Sequence, residues 1–228
     1  KMAAVKAHPN IELMTYSEVV DVQGYVGNFK ATIRKKPRYV DESLCTGCGI
    51  CQEKCPWTAP SEFDSGIGLR KAIYTPFPQA IPNVPVINRE NCVYFLRGKC
   101  RACERFCEPK AINFDQQDLY IDLQVGAIIV ATGYDVFDPT PISQYGYGQL
   151  PNVFTSLEFE RLCSPSGPTG GKLKLADGRE PQSLAIIHCV GSRDHNYHEY
   201  CSRLCCMAGL KYAHLFREKT GGDVYQMY

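Results

Sequence analysis

Twelve of the thirteen cysteines in this chain fall into two groups whose spacing is that of metal ligands. The first group opens with Cys45-Thr46-Gly47-Cys48-Gly49-Ile50-Cys51-Gln52-Glu53-Lys54-Cys55-Pro56, the C-x2-C-x2-C-x3-C-P run of bacterial ferredoxins. The spacing has a physical basis. Three thiolates must reach three corners of one cubane from a tight loop, and glycines let the backbone wrap close to inorganic sulfide. The fourth, Cys55, is expected to start a short helix, face away and ligate a second cluster. A partner run must therefore exist, and Cys92, Cys100, Cys103 and Cys107 supply it, with Pro109 one residue late and Val93–Lys99 widening the first interval. Crossed ligation then assigns Cys45, Cys48, Cys51 and Cys107 to one [4Fe–4S] cluster, and Cys92, Cys100, Cys103 and Cys55 to the other. Zinc is the competing ligand, but it needs only four cysteines and leaves the x2-x2-x3-Pro arrangement unexplained.

The second group is Cys189, Cys201, Cys205 and Cys206: the end of an apolar strand, an eleven-residue gap, then C-x3-C-C. The C-x3-C-C run opens a helix, so Cys201 and Cys205, four apart, share one of its faces. Cys189 reaches the same point, because strand ends and following helix N-termini meet at one edge of an α/β sheet. Spacing alone leaves three readings open: a cluster site, free thiols packed in a core, or a redox dithiol. Cys163 stands alone in a Pro/Ser/Gly stretch and reads as an incidental thiol. His188, His195 and His198 flank the group and read as loop or strand-end residues, not ligands.

The elements that must position these residues follow from hydropathy periodicity. Ile11–Thr15 and Ser17–Val22 alternate as strands, and Phe29–Arg34 returns after a Gly24–Asn28 turn as a hairpin partner. Residues 37–117 are Pro-rich and Cys-rich, and the strand pattern resumes at Leu119–Leu123, followed by the buried-looking run Ala127–Ala131. This order predicts an insertion: residues 1–36 and 118–228 form an α/β host, and 37–117 a two-cluster α+β domain hanging from one edge of it. Asp138–Gly171 reads as loop. Ser183–His188 reads as a fully buried strand, Tyr200–Lys219 as a helix and Asp223–Tyr228 as a strand beginning, a βαβ pattern. The Ala131-Thr132-Gly133 triplet is either backbone that approaches a cofactor closely or a plain tight turn.

The 228 residues carry a net charge of +1 at 44% hydrophobic content, which gives no support for nucleic-acid or membrane-surface binding. No apolar run approaches the roughly 20 residues of a membrane span. Clustered thiols in a chain of this size indicate metal binding in a reducing compartment, hence a cytoplasmic location, in preference to disulfides. Both ends read as cuts through a longer polypeptide.

With both groups in view, the chain resembles the iron–sulfur flavoprotein of heterodisulfide reductase, the A subunit of that enzyme. The resemblance rests on Tyr25–Phe29, on Arg38–Asp41 leading into Cys45, on Val130–Tyr134, and on Cys189–Asp194 followed by Tyr200–Met207. It implies a thioredoxin-reductase-like flavin domain with an inserted two-cluster ferredoxin domain, and a third [4Fe–4S] cluster at Cys189, Cys201, Cys205 and Cys206. It also implies FAD against Ala131, Thr132 and Gly133, electron-pair splitting at that flavin, and other subunits of a redox complex as donor and acceptor. No G-x-G-x-x-G occurs in the chain. The half of a flavin domain that cradles the pyrophosphate is thus absent from it, and the Cys189–Asp194 turn lacks the glycines a nicotinamide would require. The expected function is an oxidoreductase subunit conducting electrons between FAD and clusters. The alternative is a ferredoxin-like carrier module with no chemistry of its own.

Overall fold

The computed structural model describes residues 1–228, which form two compact units: Lys1–Phe63 with Leu69–Thr132, and Asp64–Gly68 with Gly133–Tyr228. In content the chain is mixed α/β.

The first unit begins with a short helix, α1 (Met2–Ala7). Ile11–Thr15, expected as a strand, makes no ladder. Tyr16 turns the chain with φ +56°, and its carbonyl accepts from Lys36 N–H at 3.0 Å, so strand pairing starts only beyond it. Strands β1 (Ser17–Tyr25) and β2 (Asn28–Lys35) then form an antiparallel hairpin around Val26-Gly27.

After β2 the cysteine-rich segment is tied shut at its base. Asp41 N–H donates to Ala111 O at 2.7 Å and Asn113 N–H to Tyr39 O at 3.0 Å, around a Val40–Ile112 bridge. Arg38, 5% exposed, braces this base by donating to Glu42 Oε1 at 2.7 Å and Thr15 Oγ1 at 2.8 Å. Between the tied ends run α2 (Ile50–Glu53), β3 (Thr58–Pro60), β4 (Leu69–Lys71), β5 (Ile73–Tyr74), β6 (Val86–Ile87), α3 (Val93–Arg97) and α4 (Ala102–Arg105). Such short elements cannot stand on backbone hydrogen bonds alone. They share one core instead, built from Tyr39, Val40, Ile73, Val84, Ile87, Ile112 and Phe114 together with Cys51 and Cys103.

Strand β7 (Leu119–Val125) leaves the segment and pairs antiparallel with β2, Ala31 opposite Leu123 and Ile33 opposite Ile121. On the other face Asp122 accepts from Thr32 Oγ1 at 2.7 Å and pairs with Lys30 at 2.8 Å. The cysteine-rich segment therefore begins and ends on neighbouring strands of one sheet. The run Ala127–Ala131, expected as a buried strand, forms no strand, with Ile129 92% and Val130 78% exposed. An apolar run gains from strand formation only when a neighbour accepts its N–H and C=O groups, and no strand of this chain lies beside it.

In the second unit, the stretch expected as loop contains a helix, α5 (Ser156–Cys163). Its start is a capping box: Thr155 Oγ1 accepts from Glu158 N–H, and the Glu158 carboxylate accepts from Thr155 N–H at 2.6 Å. Cys163 closes this helix in the core beside Leu173 and Phe216, so its environment is a packed helix end and not a loop. Strand β8 (Ser183–Ile187), helix α6 (Cys205–Thr220) and parallel strand β9 (Asp223–Met227) make a strand–helix–strand unit. β8 alternates in burial instead of being fully buried, with Ile187 42% exposed, because one strand and one helix cover it. Phe216 of α6, 1% exposed, seals the packing against Leu184 and Val224. No helix is long and apolar enough to cross a membrane.

Two substitutions test this account of the second unit by urea denaturation. Thr155→Ala is expected to cost about 1 kcal/mol and Thr155→Ser close to nothing, since serine keeps the capping oxygen. Phe216→Ala is expected to cost about 3 to 5 kcal/mol through the cavity it leaves.

Candidate metal centres

The Cys45–Cys51 loop bends inward on two left-handed glycines, Gly47 at φ +70° and Gly49 at φ +79°. Side chains are strained in that conformation, and a Cβ on Gly47 would also stand 2.9 Å from Asn83 O. The loop lets Gly47 N–H donate to Cys45 Sγ at 3.4 Å and delivers Cys51 into α2, where it is buried. The second run repeats the plan: α4 buries Cys103, and Ala111 N–H donates to Cys107 Sγ at 3.3 Å. Cys55 does not start a helix; it follows α2 after Lys54 and precedes β3. The short helix ends before it, and Pro56 prevents the Cys55 backbone from continuing one.

Which thiols share a space is visible in what perturbs them. Burial pushes the Cys51 thiol up to about 11, helped by the charges of Cys45, Cys107 and Cys48. Burial pushes Cys103 up to about 12, helped first by Cys92 and then by Cys55 and Cys51. Cys92 is raised by burial as well, with contributions from Cys55 and Cys100, while the N–H groups of Phe95 and Tyr94 oppose the rise. Cys51 thus lies near Cys45, Cys48 and Cys107, and Cys92 and Cys103 lie near each other and Cys55, with Cys100 beside Cys92 and Cys51 also felt at Cys103. Cys55, Cys92, Cys100 and Cys103 line an apolar cavity with Trp57, Ile73, Ile87, Tyr94 and Phe114. None of the eight belongs to a set of three ligand atoms within 4.8 Å. Four thiols in each set, with no nitrogen or oxygen donor among them, fit a four-iron cluster.

The other group converges at the mouth of the strand–helix–strand unit. Cys189 follows β8 with φ +58°, and Cys205 and Cys206 are the first two residues of α6. Cys201 is exposed and lies before the helix, because Arg203 at φ +62° interrupts any helical path through it. It therefore shares no helix face with Cys205. The Cys206 thiol still senses the other three: it is raised by Cys205 first, then burial, with Cys189 and Cys201 adding to it. Cys205 is lowered, chiefly by the Ser202 hydroxyl at 3.4 Å, with help from Cys189 N–H.

His188 is the residue that sequence reasoning set aside and the structure brings in. It is 8% exposed, its Nε2 lies 2.9 Å from Gln226 Oε1, and one of its ring nitrogens lies within 4.8 Å of both Cys205 and Cys206 sulfurs. Gly209 on α6 makes room for the ring, since a Cβ there would stand 2.5 Å from His188 Cε1. The i, i+3/i+4 spacing of Cys205 and Cys206 to Gly209 was the available signal. His195 and His198 point elsewhere, to Glu199 and to Gly191 O. Ala131, Thr132 and Gly133 lie on exposed backbone without sheet partners.

The 4Fe-4S binding domain family matches residues 38–61. Over its whole length the chain is similar to part of a longer protein. It is 53% identical over 230 residues to the A subunit of the H2:CoB-CoM heterodisulfide, ferredoxin reductase of Methanothermobacter marburgensis, covering 100% of the chain and 34% of that relative. The iron-sulfur A subunit of the CoB–CoM heterodisulfide reductase of Methanocaldococcus jannaschii is 52% identical over 231 residues, with the same shares. The A subunit of the ferredoxin:CoB-CoM heterodisulfide reductase of Methanosarcina mazei is 42% identical over 225 residues, 97% of the chain and 28% of that relative. The chain spans about a third of the length of these curated relatives.

The thiol environments predict the behaviour of the metal-free chain. Unfolded thiols release their protons near 9.0, whereas Cys51 and Cys103 hold theirs to about 11 and about 12 in the fold. Between those limits the unfolded chain binds fewer protons, so stability present below pH 9 is lost as the pH rises through that window. Unfolding midpoints across the range read this directly. At pH 8, alkylation followed by mass spectrometry is expected to label Cys205 well before Cys51 and Cys103.

Proposed function

We propose that this chain, which matches a segment of the A subunit of heterodisulfide reductase at about half identity over its full length, is the electron-conducting part of such an oxidoreductase component. Cys45, Cys48, Cys51 and Cys107 hold one [4Fe–4S] cluster and Cys55, Cys92, Cys100 and Cys103 a second. The convergence of the thiols into these two crossed sets is the observation that carries the reading. Bound clusters supply reversible one-electron storage. The chain's own residues supply the rest: thiolates, N–H donors such as Gly47 and Ala111 aimed at sulfur, and an apolar shell that fixes both sets in place.

A third cluster belongs to Cys189, Cys201, Cys205 and Cys206, supported by the nearness of the other three thiols to Cys206 at the start of α6. FAD belongs to a thioredoxin-reductase-like domain to which the second unit and the Ala131–Gly133 backbone contribute, with the remaining two thirds of the relatives' length available to complete it. Residues 37–117 are the ferredoxin domain inserted into that host, supported by the β2–β7 pairing around it. Electrons that leave the flavin as pairs are split into single-electron steps by the clusters. The partners are other subunits of a redox complex, since each relative is named as one lettered component of a reductase, and the compartment is the reducing cytoplasm. The turn after β8, Cys189–Asp194, lacks a dinucleotide fingerprint, which argues against direct nicotinamide oxidation here. The second reading, an electron-carrier module alone, is favoured by one observation: the Ala131–Gly133 backbone is exposed and unpaired.

Iron and acid-labile sulfide analysis of anaerobically purified chain tests the proposal. About twelve iron atoms are expected for three clusters, and about eight if only the inserted segment is loaded. Cys205→Ser with Cys206→Ser is expected to remove about four of the twelve; retention of every iron atom refutes the third cluster. Zinc without sulfide refutes the cluster reading altogether, and a stoichiometric yellow chromophore would show that this segment suffices for flavin binding.

A further inference from the structure

We propose that the seven residues widening the second cysteine run, Val93–Lys99, act as a lid that keeps water off the second cluster and makes it the lower-potential member of the pair. The inference rests on the cluster reading above and assigns a task to the one part of the ferredoxin-type pattern which that reading leaves unexplained. A compact run needs two residues between its first two cysteines; here seven intervene.

Five of them fold as α3, which lays two rings inward. Tyr94 packs at a tilt on Phe114 with centroids 4.2 Å apart, and Phe95 packs on Tyr39 at 4.5 Å and on Phe114 at 5.7 Å. Tyr94 and Phe114 both line the cavity that holds Cys55, Cys92, Cys100 and Cys103. Leu96, on the far side of the helix, is 57% exposed, so α3 presents rings to the thiols and the opposite face to solvent. One thiol of each set, Cys48 or Cys100, stays exposed, and the difference lies in the loop between the first two cysteines. Only Thr46 and Gly47 stand between Cys45 and Cys48, and the Cys45–Cys51 loop carries no aromatic residue.

Reduction adds one negative charge to a cluster that its four thiolates already make anionic. Water stabilises that charge, and an apolar shell that excludes water disfavours it, lowering the potential. Two cations act in the opposite direction: Arg101 lies over Tyr94 and Phe114 at 5.3 Å from each centroid, and Arg89 over Phe95 at 5.3 Å. Both guanidinium groups are on exposed residues, and Arg101 is paired with Glu104 at 2.5 Å. Arg101 itself lines the cavity beside Cys100, but its charge is screened by solvent and by Glu104, and Arg89 is screened by solvent. Water exclusion is the larger effect.

The test is a redox titration of the chain followed by electron paramagnetic resonance, in the Cys205→Ser/Cys206→Ser background so that only the two clusters of the inserted segment are read. Tyr94→Ala is expected to raise the lower midpoint potential and leave the higher one in place, whereas Tyr94→Phe, which keeps the ring, shifts neither. A shift of the higher potential alone, an equal shift of both, or no shift with eight iron atoms retained overturns the lid while leaving the clusters intact. Absence of iron from the unsubstituted chain overturns lid and clusters together. A measurement on unsubstituted chain exchanged into D2O needs no variant: the lower-potential cluster is expected to show fewer deuteron couplings than its neighbour, and the reverse order overturns the proposal.

Discussion

The constraint on which the first unit depends is electrostatic. Eight thiols are drawn into two confined sets, and in each set one thiol, Cys51 or Cys103, is buried deeply enough to resist ionisation. Left to themselves, four thiolates in so small a space repel one another and forfeit their hydration. A cationic iron–sulfide core reverses both penalties, because it prefers the ionised form and supplies the missing opposite charge. Under the proposed cluster reading, bound cores would complete the packing of strands of two and three residues and helices of four and five.

The base of the cysteine-rich segment carries that rigidity to the rest of the unit. The Tyr39–Asp41 and Ala111–Asn113 pairing closes the segment, and the β2–β7 ladder continues from it into a three-stranded sheet. Arg38 joins both parts, reaching Glu42 on one side and Thr15 on the other from a buried position. A segment fastened at two adjacent strands can be gained without disturbing the sheet that receives it, since its ends already lie at neighbouring-strand spacing. The thiol sets are thereby held at fixed positions relative to β2 and β7, which is what electron transfer over a defined distance demands.

Much of this was legible in the residues, and what was not has identifiable causes. The cysteine spacing points to the two crossed sets that the proposed function adopts, because ligand geometry acts through local sequence and one pseudo-symmetric partner. The β1–β2 hairpin and the β8–α6–β9 unit followed from periodicity. Ile11–Thr15 and Ala127–Ala131 misled, since alternation or apolarity reports a willingness to pair and says nothing of a partner. The helix expected at Tyr200 begins at Cys205 because Arg203 adopts a left-handed conformation that no propensity reveals. Helix α5 was written in the sequence as Thr155-Ser156-Leu157-Glu158 and went unread among its Pro, Gly and Ser neighbours. His188 was set aside for want of a motif, and only the crossing of α6 over β8 at Gly209 brings its ring to the thiols.

The two cysteine groups differ in kind, and the difference bears on what each can do. In the first unit the deepest thiols are raised by burial, and a cluster there is enclosed by Tyr39, Phe114, Ile73 and their neighbours. At the start of α6 burial is secondary: Cys205 is lowered by hydrogen bonds, Cys206 and Cys201 are exposed, and the largest influence on Cys206 is the adjacent Cys205. An enclosed site holds its charge state against solvent and suits a relay with a fixed potential. An open one, ligated from a loop with left-handed residues at Cys189, Arg193 and Arg203, takes its dielectric from whatever covers it.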